Sequence, residues 1–150
     1  MTFEDKRRFL ELYHEISLDI IVLTQEIANL RDDMLPSGQK LSDMPKSHSQ
    51  RDLLADFAVR LDHLERERMF LMKSMLNIND SIDNLGETEF RFVLKQYYVQ
   101  EGYTWGKIAQ ILCMSERNAR RIGNKAIHSL KIKDLKNAKR LLGKYQKKDG

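Results

Sequence analysis

The chain has 150 residues, room for one domain or for a small domain with an elongated appendage. It is 41% hydrophobic and 32% charged, with only 7 Gly and 2 Pro, which is too little turn material for an all-β fold and predicts an all-α one. The net charge of +4 is unevenly spread: residues 1–86 carry 11 Lys and Arg against 16 Asp and Glu, and residues 87–150 carry 15 against 6. A polyanion would therefore meet the C-terminal part and be repelled by the rest.

From Phe9, apolar side chains fall at Tyr13, Ile16, Ile20, Leu23, Ile27, Leu30 and Met34, alternating steps of four and three. That is a heptad seam, and it ends at Leu35-Pro36-Ser37-Gly38. Residues 36–50 hold both prolines and read as a loop. A second seam follows at Leu54, Phe57, Leu61, Leu64, Leu71, Met75, Ile78, Ile82 and Leu85, with Arg68 in its one gap. Two such segments joined by a loop predict a long antiparallel, coiled-coil-like helical hairpin over 4–84. Leu10, Leu12, Leu18, Val22, Leu53, Met72 and Leu76 form a second apolar flank that two helices alone would leave wet. Self-association, with a dimer favoured, would cover it; packing on the C-terminal domain is the alternative.

Asn84-Leu85-Gly86 reads as a helix stop with Gly86 at the C′ position. A helix from Glu87 or Thr88 then carries Phe90, Val93, Leu94, Tyr97 and Tyr98 on one face. Beyond Glu101-Gly102, Thr104 is a candidate N-cap for a short helix Trp105–Leu112 that turns Ile108, Ala109 and Leu112 inward. Cys113-Met114 makes a turn, and Ser115 caps a second helix over 116–130, whose inward set is Ala119, Ile122, Ala126, Ile127 and Leu130. Small Ala109 and Ala119 allow a close crossing, as a helix-turn-helix requires. The domain is expected over 87–132. A basic tail, 133–150, prolongs the last helix to about Leu142.

The outward face of that second helix carries Glu116, Arg117, Asn118, Arg120, Arg121, Asn124 and Lys125. In the major groove of duplex DNA, Arg takes the O6 and N7 edge of guanine and Glu accepts from cytosine N4. Glu116, Arg117 and Arg120, near the helix start, are the candidate base readers. Thr104, Ser115, Asn118, Arg121, Asn124 and Lys125 are candidate phosphate contacts.

The pattern Thr104-Trp105-x-x-Ile108-Ala109-x-x-Leu112-x-Met114-Ser115-x-x-x-Ala119-x-x-Ile122-x-x-x-Ala126-Ile127-x-x-Leu130 resembles region 4 of sigma-70-type factors, whose second helix reads the −35 promoter element. With the preceding RFVLKQYYVQEGYTW and the N-terminal hairpin, nearly the whole chain resembles the ArpU/RinA-like proteins of Gram-positive phages and prophages. Ser115-Glu116-Arg117-x-x-Arg120-Arg121 carries most of that likeness. The resemblance implies a late-gene transcriptional regulator binding double-stranded DNA. The chain departs from the pattern in three places: Cys113 stands where glycine is common, Ala119 replaces a larger aliphatic residue, and Gly123 falls mid-helix. Two rival readings are a phage small terminase subunit that recognises packaging DNA and an interaction protein that binds RNA polymerase.

Other chemistry is not expected. The four histidines have no Cys or carboxylate at ligand spacing, so no metal or other cofactor is predicted. A phosphate-binding glycine loop and a nucleophile turn are both lacking, so no enzyme is predicted. Cys113, the single cysteine, cannot form an internal disulfide. Ile20-Ile21-Val22-Leu23, the longest aliphatic run, cannot span a bilayer. The expected location is the cytoplasm of a bacterial host, without a membrane partner.

Overall fold

The computed structural model describes residues 1–35 and 48–149. The chain is all-helical: among the described residues there are six α-helices and one π-helical segment, and no strand. They are α1 (Phe3–Met34), α2 (His48–Asp83), α3 (Thr88–Leu94), the π segment Lys95–Val99, α4 (Trp105–Ile111), α5 (Glu116–Ser129) and α6 (Leu135–Asp149). The predicted loop at 36–50 lies mostly outside the described residues, and residues 48–50 already belong to α2.

Both long helices divide between two compact units, Met1–Ser17 with Lys73–Gly150, and Leu18–Met72. In the smaller unit, Leu23, Ile27 and Leu30 of α1 and Leu64 and Leu71 of α2 are buried. Arg31 pairs with Glu65, and the Arg68 guanidinium reaches Thr24 Oγ1 at 3.5 Å. Leu18, Ile21 and Val22 are exposed by 64%, 62% and 55%, on the side of α1 opposite its buried seam. Leu54, expected in the second seam, is exposed as well.

The larger unit treats the same helix differently. Here α1 opens with a reciprocal capping box, in which Asp5 N–H donates to Thr2 Oγ1 (3.2 Å) and Thr2 N–H to the Asp5 carboxylate (3.3 Å). Leu10 and Leu12, predicted to lie on the wet flank, are fully buried, together with Phe9 and Ile16. The start of α1 meets the end of α5: Phe3 and His128 rings stand 4.5 Å apart, and Lys6 Nζ donates to the His128 carbonyl. Within this unit the α1 part of the second flank is thus covered by the chain's own C-terminal part, whereas Leu76 of α2, from the same flank, stays 62% exposed.

The tail also differs from its expectation. Helix α5 stops at Ser129, and Leu130 is extended at φ −64°, ψ 126°. Three polar residues on one face of α2, Ser74, Asn77 and Ser81, are buried and hold the segment that follows. Ser81 Oγ accepts from Lys133 N–H and Asn77 Oδ1 from Asp134 N–H, each at 3.0 Å, and Asn77 Nδ2 donates to the Asp134 carbonyl at 2.8 Å. Asp134 then caps α6 by accepting from Asn137 N–H, and Ala138, Leu141, Leu142 and Tyr145 form its buried stripe. An unbroken helix would lose the bonds that Ser81 and Asn77 make to Lys133 and Asp134, at about 1–3 kcal/mol for each buried group left short of a partner. The break is therefore the favoured arrangement.

Candidate nucleic-acid interface

Two short helices, α4 and α5, are set by local chemistry at both ends. Gly102, at φ 82°, turns the chain out of the π segment; Gly86, expected at a left-handed C′ position, does not have a positive φ. Thr104 Oγ1 accepts from Lys107 N–H at 3.2 Å and starts α4. At its other end Met114 N–H donates to the Ala109 carbonyl (3.0 Å) and Cys113 N–H to that of Gln110 (3.3 Å). This pair of bonds is a Schellman motif, and it puts Cys113 in the left-handed region at φ 54°. Ser115 Oγ then accepts from Asn118 N–H at 3.1 Å and starts α5. Both hydroxyls predicted to touch phosphate therefore serve as caps, each with its own proton still free to donate outward.

The inner face of α5, Ala119, Ile122, Gly123, Ala126 and Ile127, is buried. Ala119 and Ile122 share a core with Val93 of α3 and with Ile108 and Ala109 of α4; Phe90, Phe92, Tyr97, Trp105, Leu112 and Met114 pack around it. Gly123 explains itself here. A Cβ built on it would lie 2.4 Å from the Trp105 ring, which in turn stacks on Tyr97 at 4.3 Å and 20°. Only a glycine lets the indole lie flat against the helix. The π segment that carries Tyr97 closes with Gln100 N–H donating to the Lys95 carbonyl at 2.9 Å.

On the outer face the predicted residues sort into three lines. Arg117, Arg121 and Asn124 are exposed at i, i+4 and i+7 and form the crest. Glu116 and Arg120 lie to one side, paired with each other at 2.8 Å with side chains 54% and 58% exposed. They border an open cleft of about 550 Å³ shared with Glu11 and His14 of α1 and with Tyr97 and Trp105. On the other side Asn118 Oδ1 accepts two bonds from the Arg121 guanidinium, at 3.1 and 2.8 Å. Asn118, Arg121 and Lys125 line a second hollow, of about 640 Å³, with Phe90 and Met114. Among the described residues, the side chains of Arg117 and Lys125 make no hydrogen bond or ion pair.

Exposed pairs such as Glu116–Arg120 contribute about 0.3–0.5 kcal/mol, so they pre-orient a guanidinium without committing it. A charge-assisted bidentate contact to a base or phosphate outweighs that. In the cleft, burial pushes the Tyr98 hydroxyl up to about 12, helped by the nearby Glu11 carboxylate, so it is a neutral wall at physiological pH. Glu11 in turn raises the Arg7 guanidinium. Among the described residues no group of three or more His, Cys, Asp or Glu could hold a metal ion, and no helix is long and apolar enough to cross a membrane.

Sequence reasoning missed two features. One is the Ser74–Asn77–Ser81 ladder, whose signal is polar residues interleaved with Leu71, Ile78 and Ile82. The other is the pairing of Gly123 with Trp105, visible only as a helix-breaking glycine beside the chain's single tryptophan. Comparison of the chain with protein-family models, with characterised proteins and with solved structures finds no match.

Proposed function

We propose that the chain is a sequence-specific DNA-binding regulator of transcription, with α4 and α5 as its helix-turn-helix and α5 as the recognition helix. One observation carries this reading. Helix α5 is anchored by a wholly buried face and capped by Ser115, while its outer face presents Arg117, Arg120, Arg121 and Lys125 with a single carboxylate, Glu116. Arg117, on the crest near the helix start, leads in base reading, flanked by Glu116 and Arg120. Lys125, Asn124 and Arg121, with the exposed N-caps Thr104 and Ser115 and the amide of Asn118, serve the phosphates.

Helices α1 and α2 act as an antiparallel hairpin that brings two copies together. The pairing of Arg31 with Glu65 and of Arg68 with Thr24 in one unit, and of Asn79 with Tyr13 in the other, supports that direction. The exposed stripe of Leu18, Ile21 and Val22, with Leu54, Met69 and Met72 on α2, supplies the apolar surface for a second copy. A dimer would present two recognition helices to paired half-sites and raise the effective concentration at the second. The likeness to the ArpU/RinA-like proteins favours late genes of a phage or prophage as the target, in the cytoplasm of the bacterial host.

The test is to incubate the protein with sheared DNA of its source genome at near-physiological salt and sequence what is retained. Enrichment upstream of a late operon is the expected result. Clustering at a packaging start would replace the regulator with a small terminase subunit. Retention of RNA polymerase without any enrichment of DNA would replace it with a polymerase-binding protein.

A further inference from the structure

The most one-sided charge in the molecule lies outside the recognition helix. Between Leu135 and Lys148 the sequence places six cations, Lys136, Lys139, Arg140, Lys144, Lys147 and Lys148, and no carboxylate. Helix α6 buries Ala138, Leu141, Leu142 and Tyr145, at i, i+3, i+4 and i+7. The opposite face exposes Lys136, Lys139 and Arg140, followed by Gly143, above which nothing lies within 4 Å of a built Cβ.

Two ordinary explanations fall short. Cations near a helix C-terminus favour the macrodipole, which accounts for Lys144 and the residues after it. It does not account for Lys136, which stands in the first turn, where a positive charge is unfavourable. A face kept merely soluble mixes both signs, whereas here Lys136 and Lys139 are like-charged neighbours at i and i+3, which destabilises a helix. A surface polyanion removes both penalties.

We infer that the Lys136–Lys139 face of α6 is a second contact of the protein with the phosphate backbone of the duplex that α5 reads. This rests on the DNA-binding reading above and adds a part to it. The strip is a fixed surface, because the start of α6 is held on α2. Asn137 Nδ2 donates to Ser74 Oγ at 3.1 Å, and Asn77 Nδ2 donates to Asn137 Oδ1 at 3.0 Å. A frayed tail would give up chain entropy on ordering, whereas this helix is ordered before DNA arrives. Its contacts carry no base information, since a lysine reaches a phosphate as a point charge.

The experiment compares the full chain with its Lys136→Gln/Lys139→Gln variant on a labelled random-sequence duplex across a salt series. Two lost phosphate contacts lower the slope of log K against log salt by about 1.8, so the affinity ratio of the two proteins changes about 12-fold between 50 and 200 mM salt. Lys136→Arg/Lys139→Arg should retain the parent slope, and the fragments enriched from genomic DNA should stay the same in both variants. Equal slopes for the Gln variant and the parent would overturn the inference alone, provided Lys125→Ala lowers the slope. Failure of the parent chain to bind any duplex at low salt would overturn the DNA-binding reading together with it. Should the Gln variant fold poorly, acylation of lysines in the parent chain decides. The duplex should protect Lys136 and Lys139, and full labelling in its presence would overturn the inference.

Discussion

The two units of this protein use the same pair of helices and the same heptad pattern, yet treat the outer flank of α1 in opposite ways. Leu10 and Leu12 are fully buried, while Leu18 and Ile21, at most three turns further on, are exposed by 64% and 62%. Nothing in the local sequence separates them, since all four are aliphatic residues off or beside one seam. The difference comes from what stands outside the helix: the larger unit brings in α3 to α6, and the smaller has, among the described residues, only segments of α1 and α2 as its helices. An apolar flank is thus evidence of a partner, but it does not say whether the partner is the rest of the chain or another copy.

The sharpest way to break this comparison is truncation at matched positions. Leu12→Ala should destabilise the fold by about 2–5 kcal/mol in urea unfolding, as expected for a buried leucine. Leu18→Ala should leave the unfolding of the isolated chain nearly unchanged and instead weaken the proposed self-association, read as a lower mass by light scattering. Equal effects on unfolding at the two sites would erase the distinction between the units.

A second pair of expectations concerns the larger unit alone. Asn77→Ala removes the acceptor for Asp134 N–H and the donor to its carbonyl, and should cost about 1–3 kcal/mol while loosening α6, read as faster amide exchange over residues 133–142. Gly123→Ala drives a methyl into the Trp105 ring and should cost about 1–3 kcal/mol, with a shift in the emission of that single tryptophan. Unchanged emission would mean that the indole does not rest on α5.

The smallest effect is expected in the turn. Cys113 adopts φ 54° with a side chain present, so Cys113→Gly should stabilise by about 1 kcal/mol in thermal or urea unfolding and leave the proposed DNA binding unchanged. Loss of stability there would show that the thiol packs usefully and that the strain is small.

Much of the candidate site was legible in the sequence because its cues are local. Thr104 and Ser115 cap the helices predicted for them, and Ala119, Ile122, Ala126, Ile127 and Leu130 are all buried as their spacing requires. Capping and helical periodicity act within a few residues, so a linear reading reaches them. The crest of α5 was less clear. That Arg121 and Asn124 share it with Arg117, while Glu116 and Arg120 turn toward a cleft with α1, depends on how the helix is rolled on α3 and α4.

By itself the sequence determined the helical class, the α1 seam and the capped helices α4 and α5, since hydrophobic period and cap chemistry are properties of neighbours along the chain. Tertiary structure alone decided which flank of α1 is covered, that Gly123 receives an indole, and that the basic tail breaks at Leu130 to dock as a separate helix. Each of those depends on contacts between residues tens of positions apart, such as Asn77 with Asp134 and Phe3 with His128, where burial and hydrogen bonding outweigh local helix propensity.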